Sequence, residues 1–181
     1  VLVRAYRLTG EDAFLQVARR AVRTFELDIL DGGVSAPVGE NGIFFEEIAV
    51  YPAAHILNGF ILSLFGLYDY VALTDDAHIA TLIQHSLDTM HSMIDEFDLG
   101  YGSRYDLLLG RPATRFYHAL HITLLEALAQ YSGCEHCSTL AKRWAGYQCG
   151  FKPIINYFMS RVARYRRALR FKLCAGGEND R

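Results

Sequence analysis

Apolar residues recur at three- and four-residue spacing along most of the chain, the period of helices with one buried face. Phe14, Val17, Ala18, Ala21, Val22 and Phe25 fall on one side of such a helix, with Arg19, Arg20 and Arg23 opposite. The stretch from Ala53 to Tyr70 is apolar nearly all round, which predicts a helix surrounded by others. Its longest run, Ile56 to Leu67, is broken by Asn58 and Ser63. It falls short of the ~20 residues that span a bilayer, so a buried core helix is expected.

Three stretches share one pattern: an apolar helix ending near a tyrosine, a short turn, and a second amphipathic helix. They contain Tyr6 to Asp12, Tyr70 to Asp76 and Tyr131-Ser132-Gly133, and predict antiparallel helical hairpins. Gly10 and Gly133 suit the left-handed ends of first helices, and Thr9, Thr74 and Ser132 are candidate caps for the helices that follow. A wrapped helix alternating with a wet-faced one predicts a mainly α fold, an incomplete α/α barrel or toroid. Loops 30–52 and 97–112, rich in glycine and aromatics, are expected to form short β-hairpins. The expected units are a toroid-like domain over 1–150, a basic amphipathic helix over 151–174 and a disordered tail over 175–181.

Composition sharpens this picture in a few places. The chain has 181 residues, 51% apolar and 21% charged, as in a globular domain with a real core. A net charge of -2 gives no whole-chain argument for nucleic acid. The exception is Lys152 to Lys172, with seven basic residues and no acidic ones, interleaved with apolar residues at helical spacing. That helix either docks on the domain or meets a membrane surface or polyanion. Val1 to Tyr6 reads as the middle of a helix and not as a signal peptide, so a longer parent chain is expected, while location is not assigned beyond a lean to the cytoplasm. Homodimerisation is left open. Four cysteines do not make a disulfide framework for a domain of this size, and reduced thiols are expected. Cys134-Glu135-His136-Cys137 has zinc-like spacing, but with no second CxxC it is read as a helix start and no metal is assigned.

Candidate chemistry gathers in three clusters: Phe44-Phe45-Glu46-Glu47, Gly102 to Asp106, and Arg115 to His121. Glu46 and Glu47 point to opposite faces if extended, so one at most faces a cleft. Tyr117 and His121, four apart, share one helical face. Each also has a plainer explanation, since a tyrosine or histidine beside a core usually satisfies a backbone group. Asn58-Gly59 has one as well: glycine permits a close approach and asparagine bonds within the core.

Phe44-Phe45-Glu46-Glu47, Pro52, Leu57-Asn58-Gly59-Phe60 and Leu67-Tyr68-Asp69 resemble, in order and spacing, a run found in glucuronyl C5-epimerases. Phe97 to Leu107 and Tyr117 to Ile122 resemble two later motifs of that family, and the likeness extends to Lys142-Arg143-Trp144. The resemblance implies inversion at C5 of a hexuronic acid within an anionic, heparosan-like polysaccharide, without a cofactor. It implies Glu47, Tyr105 and Tyr117 as catalytic residues. Arg115, Arg104, His118, His121, Glu46, Tyr51 and Asn58 are candidates for binding substrate. Abstraction of the C5 hydrogen and return of a proton on the opposite face need two acid/base groups. A cation must meet the substrate carboxylate, and Arg115 is the first choice because a guanidinium grips it bidentately. The chain departs from the family pattern at Ile48, where a tyrosine is usual, and at Leu108, where a substrate-binding arginine is usual.

Two other functional classes fit the same residues. A polysaccharide lyase begins with the same proton abstraction, and a domain without turnover would simply bind the polymer. A glycoside hydrolase is less well supplied, with only Glu46, Glu47, Asp98 and Asp106 placed to serve as carboxyl groups across a scissile bond.

Overall fold

The structure, a computed structural model, describes residues 1–147. The expected basic helix at 151–174 and tail at 175–181 lie outside the described residues. Three helical hairpins form the frame: α1 (Leu2–Thr9) with α2 (Asp12–Val22), α3 (Leu57–Thr74) with α4 (Ala77–Met93), and α5 (Arg115–Ser132) with α6 (Glu135–Tyr147). The first helices of the hairpins lie in a row, α1 against α3 and α3 against α5. The fold is mainly α, as the pattern of apolar positions predicts.

The central helix α3 is the core of the row. Leu57, Phe60, Ile61, Leu64 and Leu67 have at most 1% of their surface exposed. Full burial of each such side chain is worth roughly 1.5–3 kcal/mol. Phe60 stacks on Phe44 at 4.3 Å between ring centroids and on Phe45 at 5.7 Å, and Phe25 meets Phe45 edge to face at 4.9 Å.

Gly10 and Gly133 end their helices at φ 72°, as expected. The turn caps differ from the sequence expectation. In the middle hairpin Asp75 takes the left-handed position, and Asp76 caps α4 by accepting from the backbone N–H groups of His78 and Ile79. Thr74 and Ser132 instead donate their hydroxyls back to the carbonyls of Tyr70 and Leu128, because a carbonyl four residues earlier on their own helix is within reach. Thr9 does both, donating to Ala5 O and accepting from Glu11 N–H.

The segment between the first two hairpins contains the expected β-hairpin, β1 (Ser35–Val38) antiparallel to β2 (Gly42–Phe45). The second expected hairpin, in 97–112, is absent as a ladder. There, single bridges join Asp98 to Ser103 and Arg104 to Pro112. Isolated backbone bonds, among them Arg104 N–H to Phe97 O and Tyr105 N–H to Arg111 O, hold this loop, and side chains add to them. Asp98 accepts from Gly100 N–H, Asp106 from Leu109 N–H, and Arg104 donates to Glu96 O.

Candidate active site

Phe44 and Phe45, both fully buried, fix the end of β2 against α3. The chain then turns outward, and the two glutamates part as their alternation predicts. Glu46 is buried and Glu47 is exposed. The Glu46 carboxylate is held twice by one residue, at 2.9 Å by the His55 backbone N–H and at 2.6 Å by His55 Nδ1. His55 adopts φ 51°, unusual for a residue with a side chain, and that conformation points both of its donors at the same carboxylate. Residues 46 and 55 thereby close the loop that carries Glu47.

Glu47 is positioned from α3. Asn58 Nδ2 donates to Glu47 Oε2 at 3.0 Å. The next residue is Gly59, where an added Cβ would lie 2.6 Å from both Glu47 Cβ and Glu47 Oε2. The glutamate side chain thus lies in the space a larger residue on α3 would take. Asn58 is 6% exposed and turns its amide toward the carboxylate.

The loop after α4 is sewn onto the start of α3. Leu57 N–H donates to Tyr105 O at 3.5 Å, Leu107 N–H to Ala54 O at 3.1 Å, and Ile56 bridges Asp106. This pairing brings Tyr105 to Glu47 across almost sixty residues of sequence. Tyr117, in the first turn of α5, meets the Tyr105 ring edge to face at 4.7 Å between centroids. Thr114 caps that helix by accepting from Tyr117 N–H. Arg111 lies over the Tyr105 ring with its guanidinium carbon 5.4 Å from the centroid, while its Nε donates to buried Asp106 at 2.5 Å. Burial, the Glu47 carboxylate and the neighbouring Tyr117 hold the Tyr105 phenol above the usual value near 10; Arg111 opposes them without reversing the direction. In the free protein Tyr105 is a neutral hydroxyl at physiological pH, suited to give a proton. Glu47 stands beside it as a carboxylate able to take one.

The remaining candidates occupy different surroundings. Arg115 and Tyr51 are exposed. Arg104 turns into its own loop and donates to the carbonyls of Glu96 and Gly110. His118 and His121 are buried, and their Nδ1 atoms meet Ser103 Oγ at 3.0 and 2.8 Å. Burial pushes both imidazoles toward the neutral form, His121 to about 3. His118 Nε2 also reaches the carbonyl of Trp144. Ile48 and Leu108 are partly exposed at 49% and 43%.

Sequence reasoning missed His55 and Arg111. Arg111 was legible in part, since it follows Gly110 and precedes Pro112 in a loop where a basic residue near Tyr105 is wanted. His55 had no local signal, because its partner lies nine residues away across a non-periodic turn.

A mainly helical domain that sets a carboxylate against two phenols and a guanidinium on one face has the form of a proton-transfer site. The sequence profile described as D-glucuronyl C5-epimerase C-terminus matches residues 1–146, and the chain belongs to that family. It is 33% identical over 168 residues to a D-glucuronyl C5-epimerase of Caenorhabditis elegans, covering 83% of this chain and 27% of that protein. It is also 27% identical over 143 residues to an uncharacterized protein of Methanocaldococcus jannaschii, covering 77% of this chain and 46% of that protein. The chain therefore spans between about a quarter and a half of these relatives.

Proposed function

We propose that this domain serves C5 epimerisation of a hexuronic acid, glucuronic to iduronic, in a heparosan-like polysaccharide. The observation that supports the reading best is the edge-to-face pair of Tyr105 and Tyr117 at 4.7 Å between centroids, with the Glu47 carboxylate among the groups that hold the Tyr105 phenol above its usual value. Glu47 takes the C5 hydrogen, and Tyr105, backed by Tyr117, returns a proton on the other face of the sugar. Removing a hydrogen next to a carboxylate puts a second negative charge on the substrate, so a cation must sit close. Arg115 remains the exposed candidate, and Arg111 is a second, held at the ring of Tyr105. An arginine at 111 can supply the charge that the family pattern carries at position 108.

Glu46, Asn58, His118 and His121 act in this reading by holding the loops and not by touching sugar. Tyr51 lies on the exposed side and is a candidate surface for stacking a pyranose ring. An anionic polymer is the expected partner, and the basic 152–172 segment is a candidate for further polyanion or membrane-surface contact. Isotope exchange tests the proposal. Protein carrying this domain, incubated with heparosan in deuterated water, should place deuterium at C5 of uronic residues, read by proton NMR. An unsaturated product absorbing in the ultraviolet would assign a lyase instead, and binding without exchange would assign a polymer-binding domain.

A further inference from the structure

A second cluster of reactive side chains is assembled by two different hairpins. His91 lies in the last turn of α4, while Cys134 and Cys137 flank the start of α6, just after the Gly133 turn. His91 Nε2 is 3.0 Å from Cys134 Sγ and 3.8 Å from Cys137 Sγ, and the three donor atoms all lie within 4.8 Å of one another. Cys137 is 1% exposed, whereas His91 is exposed, so the group opens to solvent on one side only. His136 lines that side, its ring 6.0 Å from that of His91. In the structure Cys134 and Cys137 are joined as a disulfide, which corrects the expectation that both thiols are free.

We propose that the reduced pair, with His91, forms a site for a thiophilic divalent cation of the zinc class, its fourth position taken by water. Thiolate and imidazole are the ligands such ions prefer, in tetrahedral geometry with metal–sulfur bonds of about 2.3 Å and metal–nitrogen bonds of about 2.0–2.1 Å. That geometry sets neighbouring sulfur and nitrogen ligands roughly 3.6 Å apart. The two observed separations, 3.0 and 3.8 Å, bracket that value. Two sulfurs on one such ion lie about 3.8 Å apart, so the disulfide and the metal exclude one another. Cys134 Sγ accepts from the Cys137 backbone N–H at 3.0 Å, which fixes this sulfur at the start of α6. A disulfide between residues three apart needs no partner from α4. The presence of His91, 43 residues earlier, is what turns a local bridge into a three-ligand group.

The exchange balances with an external dithiol. Two electrons and two protons from the dithiol break the sulfur–sulfur bond and yield two thiols, and the dithiol leaves as its own disulfide. Binding of the cation then releases the two thiol protons to solvent. Bound metal ties the end of α4 to the turn between α5 and α6, a link across hairpins that the local disulfide does not make.

Cobalt titration of the full 181-residue chain tests the site without reference to catalysis. Under anaerobic dithiol the expected result is one cobalt per chain, with sulfur-to-cobalt charge-transfer and tetrahedral ligand-field bands that zinc abolishes. The oxidised chain should show neither band. His91→Ala, a change at an exposed residue, should lose the ligand-field intensity and the rise in melting temperature that zinc gives the reduced wild type. Absence of charge-transfer bands in the reduced chain overturns the proposal. So does a His91→Ala variant that binds cobalt as the wild type does. Because none of these groups touches Glu47 or Tyr105, either result leaves the proposed epimerase reading to its own experiment.

Discussion

The two segments that link the helical hairpins, Arg23–Ile56 and Ile94–Thr114, each deliver a candidate catalytic residue, but they are held by different forces. The first is anchored by backbone pairing, with the β1–β2 ladder under Phe44 and Phe45, and Thr89 Oγ1 of α4 accepting from Ile43 N–H. The second has no ladder. Its shape depends on isolated backbone bonds, Leu99 N–H to Gly102 O, Arg104 N–H to Phe97 O, Tyr105 N–H to Arg111 O and Ala113 N–H to Ser103 O, on three more shared with Ala54 and Leu57, and on Asp98, Arg104 and Asp106 bonding to their own loop. A ladder shares its stabilisation among adjacent equivalent bonds, whereas a loop of isolated bonds rests more heavily on a single group such as the buried Asp106 carboxylate. The Tyr105 side of the site should therefore be the more sensitive to single substitutions.

The largest expected effect removes the base itself. On the proposed reading, Glu47→Gln lowers C5 deuterium exchange by about 10²–10⁴-fold while leaving the melting temperature near that of the wild type. Gly59→Ala comes next. In an open helix position this change would stabilise by about 1 kcal/mol, but here the new methyl group must displace Glu47. A loss of stability together with roughly a hundredfold loss of exchange is expected; a more stable variant with full exchange would show that Glu47 is free to move aside.

Asp106→Asn and Thr89→Val test the contrast between the two segments directly. Asp106 is 1% exposed and holds both Leu109 N–H and Arg111, so its change should cost about 2–3 kcal/mol in urea unfolding. Thr89→Val removes one hydroxyl acceptor beside an intact ladder and should cost about 1 kcal/mol. Equal losses would remove the distinction.

The buried histidines set a pH dependence with a definite sign. His121 has a folded pKa of about 3 against an unfolded value near 6.5, so the unfolded chain takes up the proton first as pH falls. The stabilisation is complete above the unfolded value and is lost progressively as pH drops toward 3, and His118 is displaced in the same direction. Between pH 7 and 4.5 the His121 contribution amounts to about 2–3 kcal/mol. Unfolding at both pH values, compared with His121→Gln, should show this slope reduced in the variant.

The helical hairpins were legible in the sequence because their information is local, in apolar period and turn chemistry. The opposed directions of Glu46 and Glu47 were legible for the same reason. Asn58 and Gly59 were visible as polar and small residues in an apolar helix, but their joint use, a donor and a space for Glu47, depends on a loop eleven residues earlier. Likewise, the serine that joins His118 to His121 lies fifteen residues before the first of them. Spacing rules describe neighbours on one element, and these contacts form between elements. The second β-hairpin is reduced to isolated bridges for a related reason, since its backbone bonds are scattered around the loop and Asp98, Arg104 and Asp106 add side-chain bonds between them.

The packing of Glu47 on Gly59 also bears on timing. A glutamate free on a surface gives up about 1.5–2 kcal/mol of rotamer entropy when it is fixed. Here the bond from Asn58 and the missing side chain at 59 impose that order as the chain folds. A substrate arriving at this face meets a carboxylate that has already lost its freedom, and its own binding energy need not supply that part of the ordering.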